Sequence, residues 1–177
     1  MREVVADLWS FLGKAEHVCI TTNPIVNGAG LAVMGRGCAL EAAQRWPDVR
    51  KVLGEQSRAW GNTPHALGVV GGRHEPVWNY PDTPLRLPSL IDNRFFDWGS
   101  VLWSFPVKHH WRARADLDLI CDSARRLRAV IDLYEPDAKQ VVIPRPGCGN
   151  GGLDWMEVAP ALAGILDDER FIVVSKK

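Results

Sequence analysis

Lys108 follows Pro106, the proline that closes the apolar run Val101 to Phe105. A lysine amine is a nucleophile only when it has lost its proton, and its ordinary pKa is about 10.4. Burial or nearby positive charge lowers that value. His109, His110 and Arg112 stand close in sequence and could supply such charge. Spacing alone favours an ordinary exposed lysine. The adjacent pair His109-His110 is a poor metal motif, because neighbouring side chains point apart and no acidic or cysteine residue is spaced to join them. Cys148 lies between two glycines. It reads as a nucleophile at a helix N-terminus, where thiolates are stabilised, or as a small residue that fits a tight loop, and the second is favoured. Asn23 ends an apolar run and precedes Pro24. Its amide both donates and accepts, which suits sugar hydroxyls, but a turn-forming asparagine looks the same. Asp7 could accept from an adenine amino group or cap the turn that follows it.

Two glycine-rich stretches surround these candidates. The first runs from Ile143 through Pro144-Arg145-Pro146-Gly147-Cys148-Gly149-Asn150-Gly151-Gly152 to Asp154. It leaves a short β-branched run and enters a segment that Asp154 can cap. Simple connections of this kind need only two to six residues, and this one is longer. Glycines permit close backbone approach. Free N–H groups at a helix start favour anions. The expectation is a loop for a phosphate-bearing ligand. The second stretch, Val33-Met34-Gly35-Arg36-Gly37, reads as a strand and glycine loop leading into a helix from about Cys38 to Trp46. Alone, GxG is a weak signal.

The elements that must hold these groups follow from periodicity. Val18 to Thr22, Val101 to Phe105, Val141 to Ile143 and Phe171 to Val174 are short β-branched or apolar runs, the pattern of buried parallel strands. Arg2 to Ala6 is a shorter one, followed by a turn over Leu8 to Leu12. Ala66 to Val70 and Arg73 to Tyr80 flank Gly71-Gly72 as a hairpin. Helices are expected from Asp48 to Trp60, from about Asp116 to Tyr134 and from Asp154 to about Leu166. In the second, Leu117, Ile120, Ala124, Leu127, Ile131 and Tyr134 make an apolar stripe. Asp154 and Glu157 have capping-box spacing. The proline-broken stretch Tyr80 to Ser100, with Phe95, Phe96 and Trp98, reads as a lid, a partner surface or a packed excursion. Such alternation in one domain of 177 residues implies an α/β sandwich with a mostly parallel sheet. Ligands then sit at the carboxyl ends of strands, here after Thr22, Phe105 and Ile143.

The net charge is zero and the pI near 7.0, which speaks against a broadly basic nucleic-acid face. The four cysteines have no CxxC spacing and read as reduced thiols of a cytoplasmic protein. There is no signal-peptide pattern and no apolar run near 18 residues, so no membrane association is expected.

Taken together and in order, Asp7, Asn23, Val33-Met34-Gly35-Arg36-Gly37-Cys38-Ala39-Leu40, Phe105-Pro106-Val107-Lys108 with Trp111, and Pro144 to Trp155 resemble the macro domain family over nearly the whole chain. The resemblance is strongest to the subgroup containing terminal ADP-ribose protein glycohydrolase and the antitoxin macro domains that remove ADP-ribose from DNA. It implies one macro domain over residues 1–177, a three-layer α/β/α sandwich with a mixed, mostly parallel sheet. It implies ADP-ribose as ligand or product, with no further cofactor and no metal. Asp7 would hold the adenine amino group and Asn23 the distal ribose. Met34, Gly35, Arg36 and Gly37, with Gly147, Cys148, Gly149, Asn150, Gly151 and Gly152, would wrap the pyrophosphate and distal ribose. Lys108 falls on the subgroup's catalytic lysine, which attacks the anomeric carbon and forms a covalent adduct. The implied activity is an ADP-ribosyl glycohydrolase acting on modified protein or nucleic acid, and the alternative is a non-catalytic ADP-ribose reader. A monomer is expected. Three departures stand out. Ile20 replaces an asparagine of many relatives, the loop from Asn23 to Val33 is longer than in the antitoxin members, and Gly151 replaces an acidic residue of the eukaryotic glycohydrolase.

Overall fold

The run His17–Thr22 forms β2, and its alternation sets the architecture. Val18 and Ile20 enter one apolar core, while Cys19 enters another. A strand that feeds a core on both faces belongs inside a sheet covered on both sides. The computed structural model describes residues 1–82 and 99–176. Within them the sheet contains seven strands: β1 (Arg2–Val5), β2, β3 (His65–Gly71), β4 (Val77–Trp78), β5 (Gly99–Pro106), β6 (Val141–Pro144) and β7 (Phe171–Ser175). Their spatial order is β1-β7-β6-β2-β5-β3-β4. The first five run parallel, β3 runs antiparallel to β5, and β4 antiparallel to β3. The sheet is therefore mixed and mostly parallel, as the alternation of elements implied.

Four helices complete the sandwich among the described residues. On one face α1 (Gly37–Arg45) and α2 (Val49–Trp60) bury Ala39, Ala42, Val49, Val52 and Leu53 with Val18 and Ile20. On the other, α3 (Leu117–Tyr134) and α4 (Trp155–Ala163) bury Ile120, Ala124, Leu127, Ile131, Val158 and Leu162 with Phe105. Each fully buried Ile or Leu contributes roughly 1.5–3 kcal/mol. Asp116 starts α3 by accepting from the N–H groups of Asp118 and Leu119, and Asp154 starts α4 by accepting from Met156 N–H.

Several local expectations change. Val33 and Met34 are not a strand. A single antiparallel bridge, Val26 to Ala32, and the Asn23 side chain hold that segment instead. β4 is two residues long, shorter than the expected Arg73 to Tyr80. α4 stops at Ala163 rather than Leu166, and Glu157 reaches Arg114 at 3.7 Å. Asp48 is the N-cap of α2 but its side chain makes no capping bond. Tyr134 leaves the α3 stripe for solvent, and Glu135 turns inward in its place. Phe95, Phe96 and Trp98 lie outside the described residues.

Candidate functional site

The carboxyl ends of β7, β6, β2 and β5, four neighbours in the sheet, open into one cleft of about 870 Å³. Three strand spacings make it roughly 14 Å long. The three loops expected to carry the chemistry, after Thr22, Phe105 and Ile143, do meet there, because their strands β2, β5 and β6 are adjacent. Parallel strands end on the same side, so topology gathers residues that are far apart in sequence.

The two glycine loops leave the two central strands, β2 and β6, and so occupy the middle of the cleft. Gly37 begins α1 with φ +59°, a backbone state open to glycine and costly for other residues. The α1 N-cap, Arg36, makes no side-chain capping bond. The first N–H groups of α1 lack intrahelical partners and favour an anion. A Cβ placed on Gly37 would stand 3.4 Å from Asn150 Nδ2, so the two loops nearly touch. Residues Gly149–Gly151 form one turn of 3-10 helix. Gly147, at φ +75°, packs so tightly that a Cβ would lie 2.6 Å from Ile120 Cδ1. Gly151 carbonyl accepts from Ala115 N–H at 2.8 Å, and a Cβ there would lie 2.9 Å from Ala115 Cβ. The residue type at 151 is therefore set by backbone packing against the segment before α3.

Lys108 lies at the β5 end of the cleft. Its backbone is fixed from both sides. Val107 N–H donates to Thr22 carbonyl at 3.1 Å, and Asn62 Nδ2 donates to the Lys108 carbonyl at 3.1 Å. Its Nζ donates to Asn150 carbonyl at 2.8 Å, so the amine is aimed at the second glycine loop. Burial pushes the Lys108 pKa below the ordinary lysine value, and the Arg36 guanidinium pushes it further down. The neighbouring charge thus comes from the other glycine loop. His109 instead pairs with Asp116 at 3.0 Å, and His110 stacks on Trp111. The two histidines diverge, as adjacent residues do. Among the described residues no group of three or more His, Cys, Asp or Glu side chains is placed to hold a metal.

The remaining candidates separate. Asn23, Met34, Gly35, Arg36, Gly37, Gly147, Cys148, Gly149, Asn150 and Gly151 all line the cleft, but Asp7 and Gly152 do not. Asp7 caps the 3-10 turn Leu8–Phe11 by accepting from Trp9 N–H at 3.3 Å, and its neighbours Ala6 and Leu8 reach the cleft wall. Asn23 is a turn former, donating to Val33 carbonyl at 2.9 Å and accepting from Ile25 N–H at 3.1 Å. One amide hydrogen and one lone pair remain free of these bonds. Cys148 is held as a thiol, since burial raises its pKa. That favours the small-residue reading over the nucleophile. Cys38 also lines the cleft, takes contacts from Thr21, and is likewise raised by burial.

Sequence reasoning missed two groups. At the β7 end, Glu41 on α1 lines the cleft and accepts from Trp9 Nε1 and from Lys176 Nζ. The Lys176 bond, then the Trp9 bond, hold its carboxylate below the ordinary glutamate range. No motif links residues 9, 41 and 176. The pairing of β1 with β7 brings residues 9 and 176 together, and the packing of α1 into the same core adds residue 41. At the opposite end Trp111 and Arg112 line the mouth. Trp111 did appear in the sequence pattern, but without a role, and Arg112 only as a source of charge for Lys108.

No family model matches the chain. It is 33% identical over 165 residues to a DNA ADP-ribosyl transferase–DNA ADP-ribosyl glycohydrolase fusion protein of Thermosipho africanus, covering 88% of this chain and 37% of that protein. It is 25% identical over 151 residues to a DNA ADP-ribosyl glycohydrolase of Mycobacterium tuberculosis, covering 85% and 36%. The chain spans about a third of the length of these curated relatives. Among solved structures, the macrodomain of Mycobacterium tuberculosis DarG superposes with a TM-score of 0.67 at 24% identity, over 99% of this chain and 97% of that one. Thermosipho africanus DarTG in complex with ADP-ribose gives 0.66 at 20%, over 99% and 41%. The parallel core with its cleft at the strand ends, the order of the sequence motifs and these likenesses agree: the chain has the macro domain fold and is similar to the DarG macrodomains.

Proposed function

We propose that the chain binds ADP-ribose in this cleft and hydrolyses the bond between its terminal ribose and a modified nucleic acid, with Lys108 as nucleophile. One observation carries the proposal. A lysine with a depressed pKa stands at one end of an elongated cleft whose middle is two facing glycine loops. A ligand with a central pyrophosphate and a sugar at either end matches that layout. The central N–H groups suit the pyrophosphate. Its terminal ribose then falls beside Lys108, and its adenosine toward Glu41, Leu8 and Asp7. The nucleic acid is inferred from the names of the relatives.

The chemistry balances without a metal or redox partner. The neutral Lys108 amine bonds to the anomeric carbon as that carbon's bond to the target breaks, and the target leaves with a proton. A proton taken up by the ring oxygen opens the ring to an iminium. Water adds at the same carbon, gives that proton back and expels the lysine, releasing ADP-ribose and restoring the amine. Holding the reactants together in this way lowers the entropic part of the barrier. Lys108→Ala is expected to lower turnover of an ADP-ribosylated oligonucleotide by about 10³-fold or more. Borohydride should trap a lysine–ADP-ribose adduct on the native protein alone. Equal release by both proteins would refute the nucleophile.

A second reading, an ADP-ribose reader without turnover, is favoured by one observation. Of the carboxylates lining the cleft among the described residues, Glu41 lies at the β7 end, engaged by Trp9 and Lys176, and none stands beside Lys108. Calorimetry showing ADP-ribose binding by a protein that turns over no modified substrate would select this reading.

A further inference from the structure

The mouth of the cleft beside Lys108 carries a group of planar side chains that nothing above uses. His110 stacks on Trp111 with ring centroids 5.6 Å apart at 26°, and the Arg112 guanidinium sits 4.5 Å from the Trp111 ring centre. Trp111 is 44% exposed, a large apolar surface left in water. His110 and Arg112 are exposed as well. Trp111 and Arg112 line the cleft edge, whereas His110 does not. The stack therefore straddles the rim.

Its charge is one-sided in a chain of zero net charge. Arg36, Lys108, Arg112 and Arg114 cluster at this end. The nearby carboxylates are Asp116, taken by His109, and Glu157, 3.7 Å from Arg114. Among the described residues no carboxylate pairs with Arg36 or Arg112. A preassembled planar stack with an unpaired guanidinium is matched to a base and its phosphate. An acidic peptide would use the charge and leave the stacked planes idle.

Position selects the same partner. If the terminal ribose sits at Lys108, as proposed above, whatever it is attached to must leave the cleft at this rim. We propose that His110, Trp111 and Arg112 form a docking surface for the single-stranded nucleotides flanking the modified one. A base adds to the Trp111 stack and a phosphate takes the Arg112 guanidinium. The strand must be single, because bases inside a duplex are already stacked on one another.

The inference rests on the cleft holding ADP-ribose, and its test separates the two. Turnover of an ADP-ribosylated single-stranded oligonucleotide is compared with that of the same modified nucleoside lacking neighbours, for native protein, Trp111→Ala, Trp111→Phe and Arg112→Ala. The native protein is expected to favour the oligonucleotide through KM, and Trp111→Ala to lose roughly tenfold of that preference. Trp111→Phe should retain most of it. An equal loss by Trp111→Ala on both substrates, or a native protein with no preference for the oligonucleotide, would overturn the assignment. An unmodified labelled single strand, titrated by fluorescence anisotropy, decides the matter even if no substrate is turned over. Affinity should fall in Trp111→Ala. The slope of log affinity against log salt should flatten by about 0.7 in Arg112→Ala, the contribution of one phosphate contact on a single strand. Unchanged affinity in Trp111→Ala would overturn the surface whether or not the cleft holds ADP-ribose. Tighter binding of a polyglutamate peptide than of the strand would assign the surface to protein instead.

Discussion

Arg36 and Lys108 are 72 residues apart in numbering, yet one guanidinium acts on the other's amine across the cleft. The amine is active when neutral, so rate should rise with pH through the Lys108 pKa. Because burial and Arg36 both lower that pKa, the rise lies nearer neutrality than for an ordinary lysine. Arg36→Ala removes the smaller of the two causes. Its pH–rate profile should keep its shape and move to higher pH, measured with a modified oligonucleotide. An unmoved profile would remove Arg36 from the tuning of Lys108. Gly151 makes a second residue-scale test. Its missing Cβ would meet Ala115 at 2.9 Å. Gly151→Ala should cost about 1–3 kcal/mol, at about 2–4 °C in Tm per kcal/mol for this length. Gly164, right-handed and with nothing within 4 Å, is the control. Gly164→Ala should be neutral or stabilising by up to about 1 kcal/mol. Scanning calorimetry distinguishes the two. An acid at 151 would have to displace the Ala115 segment first, so this site is not one substitution away from a lysine–carboxylate pair.

At the scale of elements, the segment from Val107 to Asp116 is pinned at both ends. Asp116 N–H donates to Val107 carbonyl at 2.9 Å, and Ala115 N–H bonds Gly151. The Asp116 carboxylate then caps α3 and holds His109. The Leu119 N–H bond leads the causes that lower its pKa, with the His109 and Asp118 bonds adding to it. A lowered folded pKa means the unfolded chain takes the proton first. The stabilisation is complete above the ordinary aspartate pKa of about 3.9 and is lost as pH falls through the folded value. Asp116→Ala should lower stability by about 1 kcal/mol at neutral pH, and the gap to the native protein should begin to close below about pH 3.9. Denaturant melts at pH 7 and pH 3 would check this. A gap as wide at pH 3 as at pH 7 would mean the carboxylate stabilises by something other than its charged cap.

Across the whole molecule, the end of the sheet away from the cleft is fastened by a buried trio. Trp103 Nε1 donates to His17 Nδ1 at 3.1 Å, which places the ring proton on Nε2. That nitrogen faces Glu135 Oε2 at 2.9 Å, close but not well aligned for a hydrogen bond. His17 is fully buried and Glu135 is 5% exposed. The trio links β2, β5 and the end of α3, three parts of the chain that meet only in the folded state. Glu135→Leu removes the carboxylate that faces this buried N–H and leaves it in an apolar surrounding, which should cost about 1–3 kcal/mol, again read as Tm. Because the trio lies at the strand starts and the cleft at the strand ends, ADP-ribose affinity measured well below Tm should be unaffected. A parallel loss of affinity would show that the sheet transmits strain between its ends.

The strand runs, the amphipathic stripe of α3 and the two glycine loops were all legible in the sequence, because burial alternation and backbone freedom are local properties of the chain. The order of motifs was enough to mark the resemblance to macro domains and to bring forward Lys108, which spacing alone would have left as a surface lysine. Tertiary structure alone decided which groups are neighbours. It put Arg36 rather than the adjacent histidines beside Lys108, joined Glu41 to Trp9 and Lys176, set Gly151 against Ala115 and assembled the stack at the rim. It also turned Val33 and Met34 from an expected strand into a loop held by Asn23, since a short apolar pair next to glycine has no strand partner until the sheet is formed. Charge and space act through distance in three dimensions, and the parallel order β7-β6-β2-β5, which sets those distances, is written nowhere in the local pattern.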